Sequence, residues 1–311
     1  MNRAVISAWL GARCLRVALL AIALAAGAVQ AQPIGDEGIA LTGTLATLRQ
    51  RGSVIIGYRE ASVPFSFLST LKQPVGYSIE LCKELVADLG EAVQRELKIE
   101  WQPVTSANRV DAVVSGRIDL ECGSTTNNAE RRERVAFSPT IFVAGTKLMV
   151  KQGSAVRSFK DLAGQRAAVT AGTTNEQVMR DLSDKFALKL QFIVSTDHDQ
   201  SLARLLGGEA DAFATDDVLL YGFIAQRKLQ GQVKVVGDLL SYDPYGVMYR
   251  RDDPLLARVV NLGFQRLARD GEIERQYRRW FLRKLPLGVS LDLPMSAQLE
   301  ALIAATARPT E

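Results

Sequence analysis

The sequence predicts an α/β protein of two lobes with a polar cleft between them, on three observations. Short apolar strands alternate with helix-spaced apolar stripes through residues 54–121, and the alternation starts afresh at Ala167. Each series contains a hydroxyl-rich loop opening a helix, Gly123-Ser124-Thr125-Thr126-Asn127-Asn128 in the first and Ala171-Gly172-Thr173-Thr174-Asn175 in the second. A ligand approached by backbone donors from both sides requires that pairing. Ordinary helix caps are the plainer reading of the same loops. Two extended passages, near residues 140–150 and 244–250, would let chain that follows the second lobe complete the first.

At 311 residues the chain holds one large domain or two moderate ones, each with its own core. Residues 1–31 read as a secretion signal. Arg3, Arg13 and Arg16 precede an apolar run from Val17 to Val29, and Val29-Gln30-Ala31 offers small residues at the cleavage positions. The run is well short of the roughly 20 residues that span a bilayer. Cys14 precedes the run instead of ending it, which argues against a lipid anchor there. The formal charge is +4, and loss of those three arginines leaves about +1, so charge gives no reason to expect nucleic acid as a partner.

After a flexible leader over 32–42, Leu45 and Leu48 mark a short helix that Gly52 ends. Val54 to Tyr58 is a buried strand, and Arg59 sits just beyond it, where a long cationic side chain can enter a cleft. Pro64, Phe65 and Phe67 form either an apolar wall of that cleft or local core. A helix is expected from Ile79 to about Leu97, because Leu81, Leu85, Leu89 and Val93 share one face. A strand over 99–104 follows. Ser106 and Asn108 then stand ahead of a helix through Val110, Val113 and Val114, either as its caps or facing a ligand. Gly116 ends that helix, and the strand through Asp119 and Glu121 opens into the first hydroxyl loop. There the hydroxyls and a first-turn backbone can surround a carboxylate while Arg131 pairs with it in a planar fork.

Ile141 to Val150 is β-compatible and punctuated by Gly145, and a short helix and turn occupy 159–166. Strands are expected at 167–170, 190–194, 210–217 and 233–236, with a helix carrying Leu202, Leu205 and Leu206 between the second and third. Asp216 can accept from an ammonium group, and Asp217 is then the solvated or helix-capping neighbour. The pattern barely separates the two. Helices are expected over 255–269, from Gly271 through the packing residues Tyr277, Trp280 and Phe281, and around 297–305 after Pro286 and Pro294.

Cys82 and Cys122 remain after export, an even count that permits a disulfide. Cys82 lies on the apolar side of its helix with Leu85, Val86 and Leu89, so a buried free thiol is an equal reading. A catalytic thiol is not expected, because the single histidine, His198, is distant in sequence. No nucleophile with its base, no metal cluster and no cofactor motif is apparent.

Gly57-Tyr58-Arg59-Glu60, Pro64-Phe65-Ser66, Gly76-Tyr77-Ser78, Asn108-Arg109, the run Glu121 to Asn128, Ala136-Phe137-Ser138, Gly172-Thr173-Thr174, Asp197-His198, Asp216-Asp217 and Tyr245-Gly246 occur in that order. Together they resemble the bacterial periplasmic glutamate/aspartate-binding proteins of ABC importers, within the family 3 solute-binding proteins. The resemblance covers nearly all of the chain after the signal.

It implies an α/β, two-lobed type II periplasmic solute-binding fold, with a hinge of two extended crossover strands. The implied division is 43–143 and 244–285 for one lobe, 144–243 for the other and 286–311 for a tail with a short helix. It implies a non-enzymatic, monomeric periplasmic protein that captures L-glutamate or L-aspartate and delivers it to the importer's membrane subunits. Arg131, Thr126 and Thr174 would hold the α-carboxylate, with Thr173 able to exchange roles with Thr174. Ser124 and Asp216 would hold the α-ammonium, and Arg59, Ser106, Arg109 and His198 the side-chain carboxylate. The alternatives are a secreted enzyme of the same fold resembling cyclohexadienyl dehydratase, prompted by Glu121 and Asp216 in a polar cleft, or an amino-acid-binding module for a receptor.

Overall fold

The computed structural model describes residues 40–285 and 288–308. The expected secretion signal and most of the leader lie outside the described residues. Helix α1 (Gly43–Arg51) ends at Gly52, whose φ of 73° suits a residue without a side chain, and its N–H closes on Leu48. The first series then runs β1 (Ser53–Tyr58), the short strands β2 (Ala61–Ser62), β3 (Ser66–Leu68) and β4 (Pro74–Val75), α2 (Tyr77–Ala92), β5 (Lys98–Pro103), α3 (Arg109–Val114), β6 (Leu120–Glu121), α4 (Ala129–Arg132) and β7 (Val135–Phe137). A crossover strand, β8 (Phe142–Ala144), leads out of it.

The second series is β9 (Thr146–Lys151), β10 (Arg166–Thr170), α5 (Thr174–Lys185), β11 (Gln191–Ser195), α6 (His198–Leu206), β12 (Ala212–Asp216), α7 (Asp217–Arg227) and β13 (Val233–Val236). The return crossover, β14 (Asp243–Tyr245), leads to β15 (Met248–Arg250), α8 (Pro254–Arg269), α9 (Glu272–Tyr277) and α10 (Ala297–Thr306).

Two five-stranded sheets result, ordered β5-β1-β6-β15-β7 and β11-β10-β12-β9-β13. In each, the three strands of the βα series are parallel, and the strand next to the crossover runs antiparallel. The late strand β15 lies between β6 and β7, so the chain returns from the second sheet to finish the first. The crossovers pair antiparallel, Phe142 opposite Tyr245 and Ala144 opposite Asp243, and form the hinge between the lobes.

Both faces of each sheet are covered. The largest core gathers α1, α2, α8, α9 and α10, with Leu81, Leu85, Leu89, Phe264, Trp280 and Phe281 buried in it. A smaller cluster around Val113, Ile118 and Met248 covers the other face. The second sheet is covered by Leu162, Val169 and Met179 on one face and by Leu205, Phe213 and Phe223 on the other. Phe65 belongs to the first lobe's core, with ring centroids 4.9 Å from Phe142 and 5.0 Å from Tyr245, so the apolar-wall alternative falls away.

One local expectation is corrected and one open alternative is decided. Helix α2 stops at Ala92, five residues before Leu97. Gln94 takes a φ of 53°, and the Arg95 guanidinium donates to the exposed carbonyls Arg49 O and Gln50 O at the end of α1. Val93 and Leu97 remain buried beyond the helix, so apolar spacing alone could not reveal the stop. The cysteines are joined: Cys82 of α2 and Cys122 after β6 form a disulfide across 40 residues, with Cα atoms 6.4 Å apart. That bond ties α2 to the loop that opens the candidate site.

Candidate ligand-binding site

The polar residues singled out in the sequence gather where the parallel strands of both sheets end, the usual ligand position in open α/β sheets. Arg59 follows β1, Ser106 and Arg109 follow β5, and Ser124 and Thr126 follow β6. From the second lobe, Thr173 and Thr174 follow β10, His198 opens α6, and Asp216 ends β12. These nine residues, with Asn175, border one cavity of about 10 Å³, space for a single water-sized sphere. Arg131 stands outside it, at the rim, beside an outer groove of about 390 Å³ that Ser106, Thr173 and Thr174 also border.

Local sequence explains the positions. Thr105 N–H donates to Asn108 Oδ1 (2.9 Å) and Asn108 N–H to Thr105 Oγ1 (3.2 Å), a reciprocal turn that leaves the Ser106 hydroxyl free. Asn108 thus occupies the N-cap position of α3 without a capping bond to that helix, and of the two alternatives for Ser106 and Asn108 the capping one falls away. The 123–127 loop is tied on three sides. Ser78 Oγ donates to Gly123 O (2.8 Å), Gly246 N–H to Thr125 O (3.1 Å) and Asn127 N–H to Pro244 O (2.7 Å). Asn128 Oδ1 caps α4 by accepting from Arg131 N–H (2.9 Å).

In the second lobe Thr173 is a genuine cap. Its hydroxyl accepts from Glu176 N–H (3.1 Å) and donates to Thr170 O (2.7 Å). Thr174 instead meets Thr126 Oγ1 across the cleft at 3.3 Å. Asp217 accepts from Val218 N–H (2.8 Å), whereas Asp216, at the N-cap position of α7, makes no capping bond. Its carboxylate accepts from Asn175 Nδ2 (2.9 Å) and from the Tyr245 hydroxyl.

The lobes touch at the rim. Arg131 Nη1 donates to Thr126 O (2.9 Å) in its own lobe, and Nη2 donates to Gly172 O (3.2 Å) in the other. Gly172 has a φ of 74°, and a Cβ there would lie 2.7 Å from Ala107 Cα, so this backbone-to-backbone approach requires glycine.

Electrostatically the site is a set of dehydrated cations. Arg59 and Arg109 are each 2% exposed, and none of Arg59, Arg109 and Arg131 joins an ion pair among the described residues. Burial, and then the charge of Arg109, pushes Arg59 down to about 9. Burial followed by Arg109 pushes Arg131 down to about 10. Burial first, then Arg59 and Arg109, holds His198 well below the ordinary imidazole range, so it is neutral. Asp216 is raised to about 7, chiefly by burial and then by Asp243. Arg59 Nη1, Ser106 Oγ, Arg109 Nε and Ser124 Oγ are buried without hydrogen-bond partners among the described residues. Buried polar atoms are rarely left so, and four around one cavity suit a polar, anionic occupant.

Three residues at the site escaped the sequence reading. Asn175 and Tyr245 hold Asp216, and Asp243 accepts from Thr126 Oγ1 (3.1 Å) and from Ser241 Oγ. Asn175 adjoins the Thr173-Thr174 signal and was within reach of it. Asp243 lies in a stretch with no motif, and only the β8–β14 pairing carries it to the cleft.

Residues 54–283 match the family model for bacterial extracellular solute-binding proteins, family 3. The chain is 38% identical to the L-glutamate/L-aspartate-binding protein of Pseudomonas aeruginosa, over 92% of this chain and 95% of that one. It is 35% identical to the glutamate/aspartate import solute-binding protein of Escherichia coli, over 92% and 94%. A solved ancestral amino-acid-binding protein, described as a precursor of cyclohexadienyl dehydratase, superposes with a TM-score of 0.67 and 30% identity over 76% of this chain and 99% of that one. The two sheets joined by paired crossovers, and the match across both of them, make this chain a member of the family 3 bacterial extracellular solute-binding proteins.

Proposed function

We propose that this chain is a monomeric periplasmic protein that captures L-glutamate and L-aspartate between its lobes and delivers them to the membrane subunits of an ABC importer. The observation that carries this reading is the convergence of Arg59, Arg109 and Arg131, none paired with a carboxylate, on a cleft that also holds the buried Asp216. A dicarboxylate with one ammonium group needs two cationic anchors and one anion, and guanidinium suits carboxylate better than ammonium does. The two relatives named for glutamate and aspartate support the same ligand class.

In this reading Arg131, Thr126 and Thr174 take the α-carboxylate, Ser124 and Asp216 the α-ammonium, and Arg59, Ser106, Arg109 and His198 the distal carboxylate. The capping bonds of Thr173 favour Thr174 as the contacting threonine. His198 Nδ1 lies 2.9 Å from Thr170 Oγ1, itself 2.9 Å from Ser201 Oγ. The Ser201 hydroxyl also donates to Val169 O (3.1 Å), and which hydroxyl of this chain gives its proton sets the tautomer of the ring. Residues 43–143 and 244–285 form the arginine-bearing lobe, and 144–243 the other.

Titration calorimetry of the mature protein tests the proposal. Glutamate and aspartate should bind much more tightly than glutamine, by about 1.5 to 3 kcal/mol for one lost charged contact. Equal affinity for glutamine would overturn the distal pocket. A dehydratase-like activity has one feature in its favour, the buried carboxylates Glu121 and Asp216. Elimination products from a carboxylated cyclohexadienyl substrate would support it over transport.

A further inference from the structure

Glu121 is fully buried beside the two distal arginines, yet it belongs to no part of the ligand set proposed above. Its Oε2 accepts from Thr125 Oγ1 at 2.6 Å, and Thr125 Oγ1 in turn accepts from Arg109 Nη1 at 2.5 Å. Its Oε1 has no hydrogen-bond partner. A Cβ built on Gly123 would fall 2.3 Å from that Oε1 and 2.9 Å from Arg59 Cγ, so the carboxylate and the Arg59 stem share the space beside the glycine. Glu121 therefore lies beside the Arg59 stem, is linked to Arg109 through one hydroxyl, and acts with its charge on both.

The other charges facing this end of the cleft are few. Asp197 acts on Arg59 from the second lobe, but its carboxylate is taken up by Gln200 N–H and Nε2, both at 2.8 Å. His198 is neutral, and Asp216 and Asp243 are tied to Asn175, Tyr245, Thr126 and Ser241. Those carboxylates keep their charge but lie on the second lobe or towards the α-group, and Arg131 faces Arg109 and Glu121 from the α-carboxylate end. Within the distal subsite itself, two guanidinium charges and one carboxylate leave one positive charge in a medium where imbalance is costly.

We propose that Glu121 is a specificity-determining residue: by offsetting one of the two arginine charges it makes the distal subsite select side chains carrying one negative charge over those carrying two. This rests on the acidic amino-acid reading of the site and adds what that reading leaves open, the charge state accepted. The carboxylates of glutamate and aspartate meet the condition, and a phosphonate that has lost both protons does not.

The test uses two tetrahedral analogues of the same backbone that differ in charge, L-cysteate with a monoanionic sulfonate and L-2-amino-3-phosphonopropanoate. Each displaces glutamate from the full mature protein in calorimetric competition. In the wild type, phosphonate binding relative to sulfonate should weaken by about tenfold or more between about pH 5 and about pH 8, below the titration of Arg59, as the second phosphonate proton leaves. Glu121→Gln, which keeps shape and leaves one arginine charge without its carboxylate, should shift the ratio at the higher pH towards phosphonate by about tenfold or more.

A constant ratio in the wild type overturns the proposal, as does a Glu121→Gln protein that binds glutamate but leaves the ratio unmoved. The wild-type comparison decides the matter if the variant does not fold. Failure of glutamate itself to bind the wild type would instead remove the underlying reading, a separate result.

Discussion

In the first lobe's half of the cleft Arg59 Nη1, Arg109 Nε, Ser106 Oγ and Ser124 Oγ are buried with nothing to donate to or accept from. In the second lobe's half, His198 is tied to Thr170, Thr173 to the backbone of α5 and β10, and Asp216 to Asn175 and Tyr245. The second lobe's polar groups are therefore held by protein partners, while the first presents buried cationic donors that suit an anionic acceptor. Breaking or withholding one partner of a buried charged pair costs several kcal/mol. A closed cleft without an anion bears that cost, so ligand binding and closure are expected to be coupled.

The largest test of this asymmetry removes its cations. Arg131→Ala should weaken glutamate, aspartate and their amides alike by about 2 to 5 kcal/mol, because it deletes a shared contact. Arg109→Ala should cost the diacids about 1.5 to 3 kcal/mol and leave glutamine nearly unchanged. Calorimetry on both variants with all four ligands checks the division, and an Arg109→Ala protein that lost glutamine equally would erase it.

Next comes the bond that stiffens the first lobe. Replacing Cys82 and Cys122 together with serine should lower stability in urea by about 2 to 4 kcal/mol. Because Cys122 adjoins the Gly123–Thr126 loop, amide exchange there should quicken while the Thr173–Glu176 turn keeps its protection. Equal quickening in both turns would show that the lobes are not independently ordered.

The second lobe is probed through pH. Asp216, raised to about 7 from its ordinary 3.8 mainly by burial, must be ionised to meet an ammonium group. Glutamate affinity should therefore climb by up to about tenfold per pH unit towards pH 7, or about 1.4 kcal/mol, and then level. His198 is held well below the ordinary imidazole range by burial and then by Arg59 and Arg109. Without ligand the sign reverses. A raised folded pKa contributes stability that is present below 3.8 and lost as pH rises through about 7, so the ligand-free melting temperature should carry a falling component across that window. Asp216→Asn should abolish both trends.

The smallest expected effect lies at the seam. Gly172→Ala sets a Cβ against Ala107 and a non-glycine residue at positive φ, costing about 1 to 2 kcal/mol in affinity for every ligand with no change in preference. Scattering with saturating glutamate should show a larger radius of gyration than the wild type under the same conditions. An unchanged radius and affinity would mean that the 172–107 approach is not required for closure.

How much of this was legible varies by residue. The order of strands and helices followed from apolar spacing, which is a local property: Leu81, Leu85 and Leu89 point one way whatever they meet. The end of α2 was not legible, because Arg95 is held by carbonyls of α1, more than forty residues earlier. Adjacent residues of one chemical type were the hardest. Thr173 and Thr174 read alike, and so do Asp216 and Asp217, until capping bonds take up one member of each pair and leave the other facing the cleft.

The sequence by itself determined the α/β class, the two βα series and the set of polar side chains at the strand exits, since these depend on residue type and near-neighbour spacing. Tertiary structure alone decided that Cys82 bonds to Cys122, that Asp243 reaches Thr126, and that Glu121 lies beside Arg59 and Arg109. Those meetings depend on sheet order, on the crossover register and on a space the width of one missing side chain at Gly123. None of these quantities is encoded within a single stretch of chain, and each exists only once distant strands have paired.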